Sequence, residues 1–260
     1  MKLAINVDLN YNLPALTDVL LQVEAAFIPE QIVTNAHIEV TPGEHFARVP
    51  GHDGIGERIW VRLSGPLEVT YTAEVDVRRI GADIATLAQT PPHLLPGGAV
   101  DYLMPSRYCP ADRFASLVDD EFAGLGGGAR VAAMRDWIFK HIRYELGSST
   151  AATGALETYV ERRGVCRDFA HLLISMTRAS GIPARFASVY GVGVEPQDFH
   201  AVAEVFLENT WFLVDATGMA KHDEMAKIGV GRDAADVSFL TSYGMACLVG
   251  QTVAVQPIAA

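Results

Sequence analysis

Residues 164–183 read Gly-Val-Cys-Arg-Asp-Phe-Ala-His-Leu-Leu-Ile-Ser-Met-Thr-Arg-Ala-Ser-Gly-Ile-Pro. Gly164-Val165 breaks the preceding pattern. Phe169, Leu172, Leu173 and Met176 then recur at helical spacing, which predicts a helix over 166–180. Gly181 with Ile182-Pro183 beyond it is a stop signal, because proline cannot continue a helix and glycine accepts the left-handed turn at its end. Cys166 therefore opens the helix. At that position the first N–H groups lack intrahelical partners and the helix dipole is positive, so a thiolate is favoured. Arg167 acts in the same direction and Asp168 against it, although a carboxylate also suits a first turn. Alone, such a cysteine reads equally well as a small buried apolar residue.

A nucleophilic cysteine needs a base within reach. His171 lies ~140° around the same helix from Cys166 and reads as a helix-face residue. His141 reads as a cation at the end of another helix. His200 is the better candidate. It opens the run 200–207, which a turn at Glu208-Asn209 joins to the run 210–215, ending at Asp215. With a two-residue turn, His200 and Asp215 become diagonal neighbours on one face of a hairpin, with backbones ~7–8 Å apart. A three-residue loop would place them on opposite faces.

Farther out, residues 1 to about 80 read as β. Val69, Tyr71, Ala73, Val75 and Val77 alternate with Glu68, Thr70, Thr72, Glu74 and Asp76, the period of a half-buried strand. Residues 37–40 and 57–63 are further strand candidates, punctuated by Pro42-Gly43, Pro50-Gly51 and Asp53-Gly54. Short strands with such turns suggest a sandwich-like unit or a small barrel. A linker follows around Pro91-Pro92, Pro96-Gly97-Gly98 and Pro105, which places a domain boundary at 105 and divides the chain into 1–105 and 106–260. Helices are predicted over 111–123, 130–143 and 153–162, and strands over 184–190, 200–207 and 211–215. The glycine-rich run 124–128 separates the first two helices. The fold class expected is α+β, an all-β N-terminal domain before a mixed core.

The chain has 260 residues, enough for one or two domains. Its 31 acidic and 20 basic residues give a formal charge of −11, with no basic run of the kind a nucleic-acid binder shows. No apolar run approaches the ~18 residues that span a bilayer. The first residues lack the pattern of a signal peptide, so a cytoplasmic location is the default expectation. The three cysteines, Cys109, Cys166 and Cys247, form no C-x-x-C pair, which argues against a cysteine zinc site and a disulfide framework. Asp119-Asp120-Glu121 reads as a solvated helix face rather than a calcium site. Neither a metal nor another cofactor is expected.

Four blocks occur in order: Gly164-Val165-Cys166-Arg167-Asp168-Phe169-Ala170, Ser180-Gly181-Ile182-Pro183-Ala184-Arg185, Phe199-His200-Ala201-Val202-Ala203-Glu204-Val205, and Trp211-Phe212-Leu213-Val214-Asp215-Ala216-Thr217. Together they resemble the bacterial transglutaminase-like superfamily, and the segment before Pro105 is more weakly similar to the β-rich domain that often precedes its core. The resemblance implies a papain-like core and a triad, with Cys166 as nucleophile, His200 as general base and acid, and Asp215 orienting the imidazole. It implies acyl transfer at an amide through a Cys-thioester, with a peptide or protein substrate.

Val202 stands where many relatives carry an aromatic residue, and Val189-Tyr190-Gly191 replaces the more usual Gly-Tyr strand ending. No glutamine lies between Gln89 and Gln197 to serve as an oxyanion donor. The Cys166 N–H is one candidate donor, and Tyr144 or Trp137 is the second. Hydrolysis by a cysteine peptidase or amidase is the leading expectation. Cross-linking by a protein-glutamine transamidase is its enzymatic alternative. A non-catalytic peptide-binding module that kept the fold is the third reading.

Overall fold

The computed structural model describes residues 1–259. Four strands come first: β1 (Lys2–Leu21), β2 (Gln31–Val40), β3 (His45–Pro50) and β4 (Glu57–Val77). A linker with the short α1 (Gly97–Val100) leads to α2 (Ala115–Glu121), α3 (Gly127–His141), β5 (Arg143–Tyr144), α4 (Ala155–Glu161) and β6 (Arg163–Gly164). The central helix α5 (Cys166–Ala179) is followed by β7 (Ala184–Gly191), β8 (His200–Leu207), β9 (Thr210–Val214) and β10 (Met225–Gly231). The last strands are β11 (Leu240–Ser242) and β12 (Cys247–Ile258). The fold is α+β, and the N-terminal region is strand-rich as expected.

Two sheets carry the architecture. The long antiparallel strands β1 and β4 form the spine of a six-stranded sheet, with β2 and β3 on the outer side of β4 and with β11 and β12 on the outer side of β1. The alternation in 68–77 places Val69, Tyr71, Val75 and Val77 in the core of this sheet. The second sheet runs β10-β7-β8-β9 and is antiparallel throughout. Helix α5 covers one of its faces, where Ala201, Ala203, Val205 and Leu207 meet Leu172, Leu173 and Met176. On the opposite face Ala187, Val189, Val202 and Leu213 form a second cluster.

The expected division of the chain at 105 does not hold at its C-terminal end. Residues 240–258 leave the core and pair with β1 of the N-terminal sheet. The reason is backbone pairing and burial: β12 satisfies an edge of β1, and its Val253 and Val255 alternate into the N-terminal core. The helices lie where predicted, within a few residues at their ends. Helix α5 differs in one respect. It is buried around its circumference, not along one stripe, from Asp168 through Arg178. Its polar residues are bonded inside: Ser175 Oγ donates to the His171 carbonyl at 2.8 Å, and the Arg178 guanidinium donates to the carbonyls of Met104, Ala184 and Arg232.

The glycine-rich run has a packing cause as well as a punctuating one. A Cβ on Gly128 would lie 1.7 Å from the Ile84 carbonyl oxygen, and its N–H donates to Leu87 O at 2.9 Å. Only glycine lets α3 begin against this stretch of linker.

Buried charges tie the two sheets together. Glu204 and Lys227 are both fully buried and meet at 2.5 Å. Arg185 donates to Glu204 at 2.7 Å and to Asp53 of the N-terminal region at 2.9 Å. Lys227 also reaches Glu30, which in turn pairs with Arg79. The Arg185 guanidinium lies 4.1 Å from the centre of the Trp211 ring. Burial alone would push the Glu204 carboxyl up, but Lys227 and Arg185 outweigh it and hold the group at about 2. Glu204→Gln removes the fully buried anion that both cations share and leaves Arg185 only Asp53 and Lys227 only Glu30. The expected cost is about 3–5 kcal/mol in urea unfolding, whereas breaking the exposed Arg143–Glu145 pair should leave the unfolding midpoint essentially unchanged.

Candidate active site

The helix that carries Cys166 begins where it does because of a local cap. Asp168, fully buried, accepts the Val165 N–H at 2.9 Å and Ser149 Oγ–H at 3.0 Å. A Cβ on Gly164 would lie 2.7 Å from the Asp168 Cβ, so the glycine makes room for the carboxylate to fold back. A cap of this type stabilises a helix start by ~1 kcal/mol. Arg167 is fixed by its Nη2, which donates to Ser149 Oγ and to the Thr150 carbonyl, each at 2.7 Å. Cys166 is left half-buried at the helix tip.

The hairpin takes the two-residue turn. Leu207 pairs with Thr210 and Ala203 with Val214. Glu208 and Asn209 both adopt positive φ, 48° and 61°, the geometry that matches the twist of a tight hairpin. That register brings His200 and Asp215 together: the ring Nε2 and Asp215 Oδ2 are 2.9 Å apart, and both side chains are out of solvent. Asp215 is held in turn by the N–H and hydroxyl of Thr217 and by the Ala220 N–H. With Nε2–H donating to Asp215, the other ring nitrogen, Nδ1, is the one left to exchange a proton. It is buried and has no hydrogen-bond partner among the described residues.

Burial opposes a charge on His200, but the hydrogen bond to Asp215 and the neighbouring Cys166 outweigh it and push the imidazole up to about 10. Burial also pushes the Asp215 carboxyl up, while His200 and Thr217 pull it down, and the net shift is downward. His171, by contrast, is fully buried between the rings of Tyr108 and Phe186. Burial and then Arg167 and Arg178 hold it well below the ordinary histidine range, and its Nε2 accepts the Ala234 N–H at 3.1 Å. It is a neutral structural acceptor.

Cys166 and His200 line one cavity of about 460 Å³, with Arg107, Tyr108, Phe186, Phe199 and Phe239 among its walls. Asp215 lies away from that cavity and lines a different one of about 420 Å³. Trp137 is occupied in stacking on His141 and Tyr159. The Tyr144 hydroxyl lies beside Cys166. Burial, with Cys166 next in weight, pushes it up to about 12, so it stays protonated. Arg107, Tyr108, Phe199 and Phe239 were not singled out by the sequence as site residues. They come from the linker, a loop and the return to the N-terminal sheet, and only Phe199 falls within a motif block. No cluster of metal ligands occurs among the described residues.

The pair has a pH signature. A raised His200 adds stability that is complete below its ordinary 6.5 and lost as pH rises through about 10. A lowered Asp215 adds stability that is complete above its ordinary 3.8 and lost as pH falls through its depressed value. The stability gap between wild type and Asp215→Asn should therefore be widest between about pH 4 and 6.5 and should shrink toward pH 10, read by urea unfolding across that range.

A family model described as the transglutaminase-like superfamily matches residues 118–216. The solved structure of a candidate cysteine protease from Cytophaga hutchinsonii is 31% identical, covers 100% of this chain and 91% of its own, and superposes with a TM-score of 0.92. An uncharacterised protein of Mycobacterium leprae is 28% identical over 148 residues, 53% of each chain, so this chain spans about half of that relative. An uncharacterised protein of Mycobacterium tuberculosis is 33% identical over 117 residues, 38% of this chain and 37% of its own. The chain belongs to the transglutaminase-like superfamily.

Proposed function

We propose that the protein is a thiol enzyme that transfers an acyl group from an amide, with water as the acceptor. Cys166 is the nucleophile, His200 the general base and acid, and Asp215 the residue that orients the imidazole. One observation carries this reading. The His200 ring is fixed through Nε2 on a buried carboxylate, while its unpartnered Nδ1 belongs to the residue that shares a cavity with Cys166.

Transfer of the Cys166 proton to Nδ1 gives the thiolate–imidazolium pair that the raised His200 favours, and the sulfur then attacks the amide carbonyl. The C–N bond breaks, the imidazolium gives its proton to the leaving nitrogen, and a thioester remains. Water then adds with Nδ1 as base, the C–S bond breaks, and the proton returns to sulfur. The products are a carboxylic acid and an amine. Asp215 stabilises the imidazolium and keeps the Nε2–H tautomer without taking its proton. The Cys166 N–H, which has no intrahelical acceptor at the helix start, is one donor to the developing oxyanion. The protonated Tyr144 hydroxyl is the better second donor, because Trp137 is committed to its ring stack.

Two outcomes follow. At pH 6.5 iodoacetamide should label Cys166 at least about tenfold faster than the buried Cys109 or the exposed Cys247, and His200→Ala should remove that advantage. Peptide mapping reads both rates. An inert Cys166, or an unchanged rate in His200→Ala, would leave the binding-module reading in its place. With p-nitrophenyl acetate as a generic acyl donor, Tyr144→Phe should lower steady-state turnover by about 100-fold, while labelling by iodoacetamide, which forms no oxyanion, should change by less than about threefold.

A further inference from the structure

The cavity beside Cys166 has a charge opposite to that of the chain. The protein carries a formal −11, yet two arginines, Arg107 and Arg167, line this cavity and no carboxylate does. Both guanidiniums lie against the same ring: Arg107 is 4.9 Å and Arg167 5.4 Å from the centre of Tyr108. Tyr108 is a fixed platform. Its ring stacks on His171 at 5.1 Å, its hydroxyl donates to Ala151 O at 3.0 Å, and its N–H donates to Asp233 at 2.9 Å. Arg178 secures the segment just before it by donating to Met104 O and Ser106 Oγ.

The two arginines differ in what remains to them. Arg167 spends its Nη2 on Ser149, Thr150 and Thr153 and pairs with the Asp168 carboxylate at 3.4 Å, which offsets its charge. Arg107 is exposed, and no carboxylate pairs with it among the described residues. The carboxylates nearest in sequence to the facing loop are already held: Asp233 accepts the N–H groups of Tyr108 and Ala235, and Asp236 pairs with Arg232. Much of the remaining lining is aromatic and aliphatic. Phe199 stacks on Phe239 at 4.4 Å, and Phe186 and Val237 add to that lining.

We propose that this cavity takes a substrate segment in which a carboxylate sits beside an aromatic or large aliphatic group, and that Arg107 is the residue that selects for the charge. The proposal rests on the thiol-enzyme reading for calling the ligand a substrate. A forked guanidinium held on a ring face suits a carboxylate, and the apolar wall takes the neighbouring side chain. A cavity of about 460 Å³ is large enough for one such unit. The carboxylate could be the end of a peptide chain or an acidic side chain within it.

Binding, not turnover, tests this. N-acetyl-phenylalanine carries a terminal carboxylate, N-acetyl-glutamyl-phenylalaninamide a side-chain one, and N-acetyl-phenylalaninamide none. Ligand-observed NMR titrations would compare the three on wild type, Arg107→Gln and Arg107→Lys. At least one anion should bind wild type about fivefold tighter than the neutral amide. Arg107→Gln should reduce that preference to within about twofold and Arg107→Lys should keep part of it. The tighter of the two anions names the source of the carboxylate. Equal binding of all three by wild type, no binding by any, or an undiminished preference in Arg107→Gln would each overturn the proposal. An inert Cys166 would sink the catalytic reading and leave these affinities unmoved.

Discussion

Strand β8 is buried along its whole length and still carries two ionisable side chains, His200 and Glu204. A charge in such a place is tolerated only with partners supplied from elsewhere. His200 finds Asp215 across the hairpin, and Glu204 finds Arg185 on one side and Lys227 on the other. Each requirement fixes a neighbour. The first sets the register of β8 against β9. The second aligns β7, β8 and β10 and, through Asp53 and Glu30, holds the N-terminal sheet against the core.

Helix α5 supplies the other half of the site. Its start is fixed by the Asp168 cap and its body by burial on every side, so the sulfur of Cys166 sits on a rigid element at a helix tip. The same helix positions the approach to the sulfur. Arg178 holds residues 104–106, His171 supports Tyr108, and Tyr108 carries the two arginines of the cavity wall. An N-terminal strand unit that offers no chemistry of its own thus contributes to the site indirectly. The strands that return to it begin at Leu240, directly after Phe239.

Much of this was legible in the residues because it depends on local patterns. The glycine before Cys166 and the glycine and proline after the helix mark both of its ends. The Glu208-Asn209 turn permits one register in which His200 and Asp215 share a face, and the chain adopts it. The return of β12 to β1 was not legible. Its pairing spans the length of the chain, and 247–258 holds a glycine and a proline that weaken any strand pattern. The full burial of α5 was not legible, because His171, Ser175 and Arg178 are polar residues whose internal partners are set by the folded chain. The cavity wall could not be assembled beforehand, since Arg107, Phe199 and Phe239 meet only through the tertiary fold.

The central claim is that Cys166 and His200 act together on an acyl group. Intact-mass spectrometry of the protein mixed with an excess of a p-nitrophenyl ester, quenched in acid over a time course, tests it most directly. The account predicts a single added acyl group that maps to Cys166, appears within the first turnover and decays in water as free acid is released. It further predicts that His200→Ala forms this adduct far more slowly. No adduct on Cys166, or one that forms equally fast without the imidazole, would contradict it.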